Sequence, residues 1–163
     1  MTKTILIATD FSLESLDILK KVLKKKYNQN DENKYNILFV SGYDMGDSIR
    51  DLLFSTKSSI FNKIRPKEFC DAYSIISNKY PNLINKVTCD IFTGSFQRTF
   101  NNYLEAANVD EAYYASAKSK NLSKNQFDIS DYLKKNKILE AQEVATKTQE
   151  YVPEKGRLAE IFL

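Results

Sequence analysis

Residues 5–12 read ILIATDFS, a run of apolar, strand-forming residues that stops on Asp10 with Ser12 close behind it. The run over residues 3–9 shows no polar alternation, which is the pattern of a strand buried on both faces of a parallel sheet. Leu16, Leu19, Val22 and Leu23 then recur at helical spacing, with Ser12 placed as an N-cap and Glu14 in the first turn. Strand followed by helix is how an α/β unit opens. Asp10 therefore lies at the carboxyl end of a central strand, where such sheets bind ligands. Its residue-level reading stays double: a carboxylate accepting loop N–H groups, or a ligand contact.

Working outward, the same alternation repeats. NQNDENK (28–34) breaks the chain, and YNILFVS (35–41) predicts a second buried strand. SGYDMGDS reads as a turn-rich loop, followed by one helical pattern around IRDLLFSTKSSIF and a second over residues 67–79, entered after Pro66. KVTCDIFT (86–93) predicts a third strand. Phe96, Phe100, Tyr103 and Leu104 then line one side of the next helix. EAYYASA (111–117) predicts a fourth strand, Asp128 caps a short helix, and KILEAQEV (137–144) predicts a fifth strand. The expectation is an open, mostly parallel five-stranded sheet with helices on both faces, spanning residues 1–144, with a tail over 145–163. RLAEIFL ends the chain and needs an apolar surface to dock on, its own domain or a partner.

Composition narrows the function. The 163 residues carry a net charge of +3, and the 24 basic residues comprise 20 Lys and only 4 Arg, the residue that grips phosphates and bases in a bidentate manner. Nucleic-acid binding is not expected. KKVLKKK (20–26) falls in the last turns of a helix, where lysines complement the dipole and stay solvated. No apolar run approaches the ~18 residues of a membrane span, and no signal-peptide pattern opens the chain, so a cytoplasmic protein without membrane association is expected. Cys70 and Cys89 fit no metal spacing and are expected as reduced thiols, at least one of them buried. The chain has no histidine, which removes the usual general base and the Ser/His and Cys/His nucleophile systems.

Other patterns point less far. SGYDMGDS is weakly similar to the SGGxDS loop of ATP pyrophosphatases, but it follows the second strand and Tyr43 replaces the second glycine. Asp44, Asp47 and Asp51 lack the spacing of a calcium loop. Gly94, Ser95 and Arg98 enter a helix at the ligand end of the sheet, with Ser95 expected as its cap and Arg98 as an anion contact. The 10 Tyr and 10 Phe fall mostly at core spacings, and Tyr113 and Tyr114 must face opposite sides of their strand.

ILIATDFSLESLDILKKVL resembles the opening of universal stress proteins, and TGSFQRTFNNYLEAANVDEAYYAS is similar to that family's stretch from strand three to strand four. The resemblance implies an adenosine site near Asp10 and a phosphate loop after strand four with the pattern glycine, two residues, glycine, nine residues, glycine, then Ser or Thr. On that pattern Ala115, Lys118 and Asp128 stand where the glycines would be, and Ile129 takes the hydroxyl position, with Ser130 one residue beyond. Without glycines the backbone loses its close approach to phosphate oxygens. Asp128 and Asp131 also place negative charge where an anion would sit.

The expected function is a universal stress protein-like regulatory or interaction module with a degenerate nucleotide site and no catalysis. Homodimerisation through the last strand or the tail is implied by the resemblance. The ligand-binding candidates are Asp10, Ser12, Arg98, Ser116, Lys118 and Ser130. No cofactor is expected. The alternatives are an adenine-nucleotide binder or slow ATPase taking ATP or AMP with magnesium, and an enzyme acting on a small phosphorylated metabolite.

Overall fold

A computed structural model describes residues 1–46 and 56–145. Its elements run β1 (Thr2–Ala8), α1 (Leu16–Asn28), β2 (Lys34–Tyr43), α2 (Lys57–Ile64), α3 (Lys67–Asn78), β3 (Ile84–Phe92), α4 (Gln97–Ala106), β4 (Glu111–Ala115), β5 (Gln126–Phe127), α5 (Ser130–Lys135) and β6 (Ala141–Val144). The strands lie in the order β3-β2-β1-β4-β6, all parallel. This is the expected five-stranded parallel sheet. A sixth, two-residue strand was not expected: β5 runs antiparallel to the end of β2, pairing Phe127 with Gly42 and Gln126 with Tyr43.

Strand periodicity sorts the core into two layers. In β1, Ile5 and Ile7 meet residues of α1, α2 and α3, including Leu19, Leu23, Ile60, Phe69 and Ile76, while Leu6 and Ala8 face Phe100, Leu104 and Leu133 of α4 and α5. Tyr113 and Tyr114 divide between the layers as expected. From β1 the chain passes to β2 on one side, and β4 joins it on the other, so the connections diverge between β1 and β4. In open α/β sheets such a divergence, beyond the strand ends, is where ligands bind.

Several local expectations change. Ser12 occupies the N-cap position of a 3-10 turn (Leu13–Ser15) without a side-chain cap, and α1 begins only at Leu16. Residues Ser41–Tyr43 continue β2 instead of forming a loop, because β3 and β5 supply partners for their backbone. Phe96 precedes the first turn of α4 and is 72% exposed, outside the core stripe. Both cysteines are unpaired and half-buried, so neither is fully buried as expected. Of the helical pattern around IRDLLFSTKSSIF, residues 57–61 fall in α2, while residues 47–55, with Asp47 and Asp51, and RLAEIFL lie outside the described residues.

The lysine cluster is not uniformly solvated. Lys26 has a side chain only 13% exposed and pairs with Glu111 at 2.8 Å, across 85 residues of sequence. Glu111 also accepts from the Tyr113 hydroxyl at 2.7 Å, and the Tyr35 hydroxyl donates to Asp31 at 2.5 Å. Burial and then the neighbouring carboxylate push the Tyr113 and Tyr35 phenols up. Burial works against the Lys26 ammonium, but Glu111 and Tyr35 outweigh it and raise its pKa.

A phenol kept protonated by the fold still holds its proton when its unfolded counterpart has lost it, so stability falls as pH rises above about 10. The urea midpoint is expected to hold through about pH 9 and then decline. Tyr113→Phe should make that decline shallower. An unchanged slope in the variant would contradict the assignment.

Candidate functional site

Past Ala8 the backbone turns at Phe11, whose φ is 61°. A bulky residue in the left-handed region costs about 1–3 kcal/mol and persists only where its surroundings enforce it. Here they do. The Phe11 ring is buried edge-on against Phe61 and Phe69, with centroids at 5.9 and 5.4 Å, and the Phe11 N–H donates to Thr9 Oγ1 at 2.9 Å. This turn fixes where Asp10 projects.

Asp10 is engaged on both carboxylate oxygens. Oδ1 accepts from the Ser12 N–H at 2.9 Å and from the Ser12 hydroxyl at 2.5 Å, and Oδ2 accepts from the Ser119 hydroxyl. Ser119 belongs to residues 116–127, a strap that leaves β4 and crosses to the end of β2. Gln126 in that strap is buried, and its Nε2 donates to the Asp10 carbonyl at 3.2 Å and to Ser41 Oγ at 3.0 Å. Its Oε1 accepts the Ser123 N–H at 2.8 Å. The strap is thus bonded to the ends of both β1 and β2.

Of the six expected site residues, only Asp10 and Ser12 come together. Ser130 donates its hydroxyl to Asp128 at 2.6 Å, and its N–H donates to the same Asp128 oxygen at 2.9 Å. Asp128 is not the N-cap expected of it, a position that Ile129 holds without a side-chain bond; it lies one residue earlier and takes up the Ser130 N–H at the start of α5. Ser116 is exposed and its N–H donates to the Val144 carbonyl at 2.9 Å, extending the β4–β6 pairing. Lys118 and Arg98 are exposed and form no ion pair among the described residues. Ser95 is not the cap of α4, a position that Phe96 holds without a side-chain bond.

The residues missed in the sequence are Ser119, Gln126 and Ser41, polar residues in stretches with no motif of their own. A further missed group is Asp90 on β3, which accepts from Lys57 of α2 at 2.8 Å and from the Tyr103 hydroxyl of α4 at 2.7 Å. Burial opposes its ionisation, but Lys57 and Tyr103 outweigh this and hold the carboxyl below its usual range. Asp90 joins helices from both faces around the edge of the sheet. Among the described residues no three Cys, Asp or Glu side chains gather as a metal site.

Solved structures place this architecture. A universal stress protein family protein from Arabidopsis thaliana with AMP bound aligns over 90% of this chain and 93% of its own, with a TM-score of 0.52 and 13% identity. Its fold is that of the universal stress proteins. Universal stress protein UspA from Lactobacillus plantarum aligns over 89% of this chain and 97% of its own, with a TM-score of 0.50 and 9% identity. The hypothetical protein MJ0577 covers 90% and 98% respectively, with a TM-score of 0.53 and 20% identity. No protein-family model matches the sequence, and no curated protein does. On the universal stress protein fold, Ala115 ends β4, Lys118 lies exposed in the strap and Asp128 stands two residues before α5.

Proposed function

We propose that this protein is a non-catalytic regulatory or interaction module of universal stress protein type, in which the chain's own strap fills the nucleotide crevice. The observation that carries this reading is the state of Asp10: both oxygens accept from Ser12 and Ser119, and Gln126 ties its carbonyl to Ser41. A carboxylate so engaged has few lone-pair sites left for a ribose or a metal. Asp128 adds to this, since its carboxylate already accepts the Ser130 N–H at the start of α5 and sets negative charge where a phosphate would be drawn. Homodimerisation belongs to the same proposal and is tested by sedimentation of the full chain.

The second reading is an adenine-nucleotide binder, favoured by the fold it shares with the AMP-bound Arabidopsis protein. It requires Ser119 to release Asp10. Thermal unfolding with ATP or AMP and magnesium separates the two. A nucleotide present at about 100 times its Kd would stabilise the fold by about 2.7 kcal/mol, roughly 5–10 °C. No shift is expected, and Asp10→Ala should lower stability by about 1–3 kcal/mol through its lost hydrogen bonds. A shift in the native protein that Asp10→Ala abolishes would establish the nucleotide reading instead.

A further inference from the structure

The strap builds a second feature that the crevice does not use. Among the described residues, Tyr43 at the end of β2, Lys63 and Ile64 at the end of α2, and Ser123, Lys124 and Asn125 of the strap line an open recess of about 370 Å³. That volume lies in the range of small-ligand sites. None of these six residues bonds to Asp10. Two are lysines and none carries a carboxylate, while Tyr43 and Ile64 contribute apolar surface.

The strap wall of the recess is held in place from both sides. The Asn125 carbonyl accepts the Asp44 N–H at 2.7 Å, and the Ser123 N–H donates to Gln126 Oε1 at 2.8 Å. Asn125 itself takes a left-handed φ of 70°, which asparagine tolerates better than most residues. Lys124 therefore springs from a pinned backbone. Asp44, next to Tyr43 in sequence, uses its Oδ1 to accept the Gly46 N–H at 2.9 Å. Lys63 and Lys124 are both exposed and form no ion pair among the described residues.

We propose that this recess binds a small organic anion with an apolar face, its charge met by Lys63 and Lys124 and its body resting on Tyr43 and Ile64. The ammonium groups act as movable point charges, suited to a phosphate or carboxylate of varied shape. This goes beyond the filled-crevice reading, because it assigns a different site made partly by the strap itself.

Titration of the full-length protein with phenyl phosphate, followed by amide NMR shifts, tests the proposal. Saturable shifts are expected at Tyr43, Ile64 and residues 123–125. Lys63→Gln and Lys124→Gln should each weaken binding by about two- to five-fold, the usual range for one solvent-exposed ion pair. Lys118→Gln should leave it unchanged. The lysine variants alter exposed side chains, so their folds should hold. Absence of saturable binding overturns this inference and leaves the filled crevice standing. Equal weakening by Lys118→Gln also overturns it, as diffuse attraction to a basic loop. Saturable shifts at Asp10 and Ser12 in place of residues 123–125 overturn both readings, since the anion would then sit at the strand mouth.

Discussion

Truncating Phe100 to alanine is expected to cost about 3–5 kcal/mol, the largest loss of any single substitution considered for this fold. Phe100 is fully buried, with its ring 5.0 Å from Phe92 of β3, 6.3 Å from Tyr103 and 5.4 Å from Tyr132 of α5. It is the residue through which α4 and α5 share one apolar layer over the sheet. A domain of this size has about 5–15 kcal/mol of stability in total, so the variant should sit close to its unfolding transition at physiological temperature. The companion substitution Phe96→Ala, four residues earlier and 72% exposed, should change stability by no more than about 0.5 kcal/mol. Urea midpoints for the two variants decide the matter. Equal losses would mean that α4 is rotated relative to its assigned face.

This pair also shows where the sequence stops being readable. Phe96 and Phe100 share a helical stripe by spacing, but the helix starts after Phe96, and spacing does not reveal where a helix begins when no side chain caps it. The sheet was legible because its signals are local. The apolar runs at 5–7 and 37–40 read as buried strands wherever they occur, and the polar breaks between them imply crossovers. The place of Asp10 and Ser12 at a strand mouth was legible for the same reason, since a strand end can be located without knowing its neighbours.

What was not legible depends on distant partners. Lys26 looks like one solvated lysine among many until Glu111 arrives from β4. Ser119 and Gln126 are ordinary polar residues of a lysine-rich loop, and their roles exist only because the strap returns over β1 and β2. One signal was available. Gly42 interrupts an otherwise strongly strand-forming run, and glycine inside a strand often marks a place where another backbone comes close.

Adding a side chain at Gly42 should therefore push the strap off the sheet. A Cβ there would lie 2.3 Å from the Phe127 ring and 2.6 Å from the Phe127 carbonyl oxygen, and the second conflict is with backbone that no rotamer change relieves. Gly42→Ala is expected to lower stability by about 1–3 kcal/mol, as overpacking does when a neighbour must move. The loss should be local. Amide exchange should speed up over residues 123–127, where β5 pairs with β2, while α1 and α3 keep their protection because their core layer contains no strap residue. Displacing Phe127 and Gln126 also removes the bonds to Ser41 and to the Asp10 carbonyl, which opens the strand mouth. If the strap is what fills the crevice, AMP with magnesium should stabilise Gly42→Ala more than the native protein. If AMP stabilises neither, the crevice is unable to hold a nucleotide even when open, and the lost glycines after β4 are sufficient to explain it.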